Sequence, residues 1–159
     1  MNIAVPSPSA DVVPDKGDTK RFIIGPFTRL AIVEFCDSQG DTNPFHRYPE
    51  SAQRMCARVR LLPRGAVVVP GMQIMAAFPR VVVGWLGLGA TFTGIRRLSI
   101  HMPAASDEPI VATMAIERRA QAKDGVFYEI SAVAKVDELS KPTLTAKFRM
   151  FVPTPGTVV

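Results

Sequence analysis

The 159-residue sequence predicts an α+β fold in which a strongly curved antiparallel sheet wraps around one central apolar helix. Two observations predict it. Residues Met72 to Leu86 are apolar nearly all round, through Ile74, Met75, Phe78, Val81, Val82, Val83 and Trp85, so a helix there has no polar face and is expected to be buried on every side. From Thr91 onward the hydrophobic period changes to two, and four alternating segments follow. A curved sheet closing over the helix satisfies both patterns at once.

The elements follow in order. Residues 1–19 are rich in Pro, Ser and Asp without periodicity and read as a flexible N-terminal tail; residues 20–153 read as one domain and 154–159 as a C-terminal tail. Arg21 to Phe27 is a short apolar run broken at Gly25-Pro26, a first strand. Thr28 is placed to cap a short helix carrying Leu30, Ile32, Val33, Phe35 and Cys36. Gly40 to His46 is a turn-forming loop, and Pro49 opens a second helical piece with Met55, Cys56 and Val59 on one side. Val67 to Met72 is extended, then breaks into the central helix, which Pro79 should kink or split and Gly84, Gly87 and Gly89 should end. The four strands are Phe92–Met102, Ile110–Ala120, Val126–Asp137 and Leu144–Val152, with turns at Ala105-Ser106-Asp107, Lys123-Asp124-Gly125 and Ser140-Lys141-Pro142.

Composition bounds the function. Apolar residues make up 47% and charged residues 21%, as in a soluble globular protein. No apolar run approaches the ~18 residues a membrane span needs, and no secretory signal precedes Cys36 and Cys56, so a cytoplasmic protein with reduced thiols is expected. The net charge is +5, of which residues 1–19 carry −2, leaving +7 on the body. A basic body suits an anionic partner. Nucleic acid is disfavoured, because the basic residues form no block and aromatics are few. Neither the cysteines nor the histidines have metal-ligand spacing, and no phosphate-binding glycine loop or dinucleotide fingerprint is present, so no metal or cofactor is expected.

The most informative stretch is Gly40-Asp41-Thr42-Asn43-Pro44-Phe45-His46. Gly40 can take φ > 0, Pro44 fixes its own φ, and Pro44 biases Asn43 away from helix. Asp41 and His46 can therefore meet only if the loop folds back on itself. One reading is a polar surface turn with Asp41 or Asn43 capping the next helix. The flanks extend the pattern: Phe35 before it, then Gly-Asp-x-Asn-Pro, an apolar residue, His, and Ser51-Ala52 five residues on. This pattern resembles the hydratase motif of MaoC-like dehydratases and (R)-specific enoyl-CoA hydratases, a family with the hot-dog fold. The resemblance covers roughly residues 22–153.

The resemblance implies a reaction and a site. Reversible addition of water to a 2-enoyl thioester requires a base for the water, an acid for the α-carbon and donors for the enolate oxygen. By resemblance, Asp41 and His46 form a dyad gripping one water, Asn43 orients it, and Pro44, Phe45 and Met72 line the substrate site. The oxyanion donor is expected at the N-terminus of the buried helix, at Gly71, where N–H groups are free and the dipole favours negative charge. Gly71 also reads simply as a helix start after a turn. The family has His-Gly-Met there, whereas this chain has Pro70-Gly71-Met72, and Pro70 can donate no hydrogen bond. The carrier-protein dehydratases, a neighbouring hot-dog family, need a His-Phe-Pro-Gly element and a Glu within the helix; both are missing, so their mechanism is excluded.

Arg58, Arg60, Arg64, Arg96 and Arg97 read either as a solvated face or as an anion-binding rim for the phosphates of an acyl-CoA or the acidic face of an acyl-carrier protein. His101 lacks any motif and reads as structural or as a surface residue. A homodimer is implied by the family. The competing function is a non-catalytic hot-dog subunit that binds acyl thioesters or pairs with a catalytic subunit. Pro70 and Pro79 favour that alternative; the intact Asp41, Asn43 and His46 oppose it.

Overall fold

A computed structural model describes residues 13–137 and 141–154. The element order is β1 (Thr19–Ile24), α1 (Arg29–Gln39), a 3-10 turn (Pro44–His46), α2 (Pro49–Cys56), α3 (Gly71–Leu86), β2 (Thr91–Ile100), β3 (Ile110–Ala122), β4 (Gly125–Lys135) and β5 (Leu144–Pro153). The five strands form one antiparallel sheet in the order β1-β3-β4-β5-β2. The α+β reading holds.

Strand alternation builds the inner face. Ile116, Ile130 and Phe148 stand in one cross-strand row, and Met114, Ala132 and Ala146 in the next, all buried. Against this face α3 lays Ile74, Met75, Phe78 and Val82, all buried, with the Phe78 and Phe148 ring centroids 6.0 Å apart. A second, smaller core joins Ala52, Cys56, Leu62, Ala66, Val68 and Ala105, with Phe45 packed on it.

Local signals act where the sequence places them. Thr28 caps α1 by accepting from the Ala31 N–H (3.2 Å), and Pro49 occupies the first turn of α2. Other expectations are corrected. The helix α3 is not covered on every side in the single chain: Met72 is 50% exposed, and Ala76 and Arg80 are exposed with it. These residues lie four apart, so they form one stripe opposite the face that meets the sheet. Nor does Pro79 split α3, which runs unbroken to Leu86. Its buried neighbours Met75, Phe78 and Val82 hold the helix against the sheet and offset the local cost of about 3 kcal/mol.

The expected N-terminal tail, residues 1–19, falls partly outside the described residues. Residues 1–12 and 155–159 lie outside the described residues, but Gly17 donates to the Ile116 carbonyl (2.9 Å) and Ile116 donates to that of Asp18 (3.0 Å), so the chain is already laid along β3 before Thr19. An Asp15–Asp18 side-chain turn prepares that approach, with the Asp15 N–H on Asp18 Oδ2 at 2.8 Å. The expected turn at Ser140 also lies partly outside the described residues. Among the described residues, no helix is long and apolar enough to cross a membrane.

Candidate active site

The loop after α1 is shaped by its first residue. Gly40 is left-handed (φ 67°, ψ 21°) and ends α1, and the Asp41 N–H bonds the Cys36 carbonyl at 2.8 Å. This is the 6→1 bond of a Schellman ending, which reverses the chain. Asp41 Oδ1 then accepts from both the Asn43 N–H (2.9 Å) and Asn43 Nδ2 (2.7 Å). Its other oxygen, Oδ2, faces His46 Nε2 across 3.7 Å. Pro44 starts the 3-10 turn that delivers His46, whose residue is only 7% exposed.

His46 is held from behind. Its Nδ1 lies 2.7 Å from the Val68 carbonyl, and the Val68 N–H donates to the Phe45 carbonyl at 3.0 Å. Strand geometry accounts for this. The Val69 N–H bonds the Ala104 carbonyl, and the Ser106 N–H bonds the Val67 carbonyl, so residues 67 and 69 face segment 104–106. Alternate backbone groups point the other way, which aims both polar groups of Val68 at the loop. A carbonyl only accepts, so Nδ1 carries a proton, and the neutral form of the ring presents a bare Nε2. The ring also rests edge-on against Phe45, with centroids 4.3 Å apart.

At 3.7 Å the carboxylate and imidazole make no direct hydrogen bond. They are two acceptors side by side, with their other polar atoms occupied. Such a pair can accept both hydrogens of one water, or take and return a proton on a bound molecule. Under the loop lies Cys36, whose thiol burial, aided by the Asp41 carboxylate, pushes above its ordinary value; it stays a neutral thiol.

Three residues beyond Val68, Gly71 opens α3, so its N–H belongs to the first-turn donors that a helix leaves without an internal partner. A Cβ at Gly71 would overlap the side chain of Ile100, so glycine suits the close approach of β2 there. Pro70 precedes it with φ −59° and no capping bond.

The expected arginine rim separates into two groups. Arg60 is engaged within the chain: Nη1 and Nη2 meet Glu108 at 2.8 and 2.5 Å, and Nη1 also reaches the Pro103 carbonyl at 3.1 Å. Its planar fork is already used as a tether between the segment after α2 and the loop before β3. Arg96 faces Glu129 at 3.8 Å. Arg58, Arg64 and Arg97 are exposed, and Arg64 lines an open hollow of about 560 Å³ with Pro49, Gln53 and Leu62. Sequence reasoning missed Val68 and Arg47. Arg47 Nη2 binds Asp37 Oδ1 and the Asp41 carbonyl, both at 2.7 Å. Val68 acts through its backbone, for which no side chain gives a signal; Arg47 stands beside His46, its only cue.

No protein-family model and no curated protein sequence matches the chain. Solved structures do. The (R)-hydratase from A. caviae involved in PHA biosynthesis superposes with a TM-score of 0.66 at 18% identity, over 88% of this chain and 98% of that one. The MaoC-like dehydratase from Rhodospirillum rubrum gives 0.65 at 18% identity, over 91% and 96%. The HadBC (3R-hydroxyacyl-ACP dehydratase) complex from Mycobacterium tuberculosis gives 0.63 at 15%, over 88% and 99%. The chain has the hot-dog fold. In this hot-dog chain the central helix is α3, and the Asp41–His46 loop lies between α1 and α2, ahead of α3 in the sequence.

Proposed function

We propose that the chain is a hydratase or dehydratase of 2-enoyl and 3-hydroxyacyl thioesters. The observation that carries this reading is the pair of free acceptors, Asp41 Oδ2 and His46 Nε2, 3.7 Å apart, each fixed from its far side. In hydration the water oxygen bonds C3 and gives a proton to the dyad. The π pair moves through C2 onto the thioester oxygen, which the Gly71 N–H receives at the positive end of α3. As the enolate collapses, the dyad returns a proton to C2. Dehydration runs the same steps backwards. Asn43 keeps Asp41 turned so that Oδ2 faces the water, while Pro44, Phe45 and Met72 line the approach. Loss of the enoyl-thioester absorbance with crotonyl-CoA tests the reading, and its persistence with purified protein at all pH values tried would refute it. That result would favour a non-catalytic subunit, a reading supported by the HadBC and ChsH1-ChsH2 complexes, which also superpose on this chain.

The arginines bear on the substrate handle. Arg58, Arg64 and Arg97 are free to meet the phosphates of CoA or a carrier protein's acidic face. Such contacts act equally on ground and transition states, so Arg→Gln at each should raise KM and spare kcat, and added salt should mimic the loss. The rise should shrink with a truncated pantetheine thioester. Unchanged KM in all three variants would reduce them to a solvated face.

A homodimer is also expected. β2 is a sheet edge whose Phe92, Ile95 and Ile100 are partly exposed, and the open Met72–Ala76–Arg80 stripe belongs to the helix that begins against Ile100. A second copy pairing on this edge would cover both, as unprotected edges require. Light scattering should give twice the chain mass; a fully active monomer would contradict it.

A further inference from the structure

Arg47 directly follows His46, yet its guanidinium turns back across the loop. Nη2 reaches both the Asp41 carbonyl and Asp37 Oδ1 at 2.7 Å. The Arg47 main chain is held as well: its N–H donates to the Pro44 carbonyl (3.1 Å), and its carbonyl accepts from Arg29 Nη2 (2.9 Å). The guanidinium Nε is buried with no hydrogen-bond partner among the described residues. A side chain serving only to solvate the surface would not leave a charged donor dry, because that is costly.

We propose that Arg47 is a positioning residue that sets the gap between the Asp41 and His46 side chains. The claim rests on the dyad reading. The two side chains do not bond each other, so their separation is set by what holds each one. Val68 holds the imidazole, and Asn43 holds one carboxylate oxygen. Arg47 joins the start of the loop, its end and helix α1, through Asp41, its own backbone and Asp37. The bonded Asp37 carboxylate pushes the Arg47 guanidinium further above its ordinary value, so Arg47 stays a cation. A displacement near 1 Å in such a pair costs about 10² in rate.

The experiment uses the full chain and its two histidines. Arg47→Ala should lower kcat about 10²-fold with KM unchanged. Guanidinium ion, at concentrations that leave the fold intact, should restore the rate saturably, and Arg47→Lys should be intermediate. Independently, in NMR titrations the midpoint of His46 should move by more than about half a pH unit in Arg47→Ala. His101, whose Nε2 lies 3.0 Å from Thr145 Oγ1, should stay put as the internal reference. Retained kcat, or lost stability with unmoved His46 resonances, overturns the proposal. If Arg47→Ala does not fold, Asp37→Ala removes the acceptor that anchors Arg47 while leaving the loop sequence intact; it should still lower kcat and move His46, and no change in either overturns the proposal. If the wild type turns over no thioester, the hydratase reading falls alone, and the His46 resonances decide the positioning role.

Discussion

Asp41→Asn and His46→Gln are each expected to lower kcat at least about 10²-fold while far-UV circular dichroism stays unchanged. The reason is specific to the geometry. In Asp41→Asn, the retained carbonyl oxygen can keep both hydrogen bonds from Asn43, which turns the new amide nitrogen toward His46. A donor then stands where an acceptor is needed, and water cannot give it a hydrogen or a proton. In His46→Gln the replacement cannot titrate, so the proton has only one place to go. Because both groups act on one water, the double variant should lose little beyond the worse single one. Near-wild-type turnover in either single variant would remove the dyad from the mechanism.

The second large effect concerns stability. Phe78→Ala should cost about 3–5 kcal/mol. Phe78 is fully buried at the middle of α3, with its ring beside Phe148 in the row that also holds Ile116 and Ile130. Close packing on the sheet side leaves the site little freedom to collapse, so most of the ring's volume becomes cavity. For a chain of this size the midpoint of thermal unfolding should fall by about 10 °C. Phe92→Ala serves as the contrast: its ring also neighbours Phe148, at 6.3 Å, but the residue is 38% exposed and should cost much less. Equal losses at the two positions would mean that α3 is not the centre of the core.

The shape of the candidate loop was legible because it lies in Gly40 and Pro44, which restrict the backbone whatever surrounds them. Thr28, Pro49 and the alternating strands were legible for the same reason: each acts within a few residues of itself. What escaped depends on distant partners. Arg60 reads as one more basic residue until Glu108, 48 positions away, is seen to hold its fork. The buried Val68 carbonyl is a backbone atom and leaves no mark in residue type. The exposed Met72–Ala76–Arg80 stripe was missed for a different reason: Met72 and Ala76 are apolar, and hydropathy does not record which surface covers them, while Arg80 was the one cue to an open side.

The strand order carries a consequence for the time course of folding. β3 and β4 meet at a hairpin where Ala122 pairs with Gly125, and β5 follows β4 directly, so this three-strand meander can form from local contacts. Both flanking strands come from far away in the chain. Thr91 of β2 pairs with Phe151, and Thr19 of β1 pairs with Ala115. Closing such long loops is entropically costly and is repaid only once the pairings form, so the meander is expected to nucleate and the two edges to zip on afterwards. The dyad loop and α3 both lie between β1 and β2 in the sequence, which makes the candidate site a late product of folding. During synthesis Asp41 and His46 emerge before the strands β2 to β5, yet α3 has no complete floor to lie on until β5 has joined the sheet.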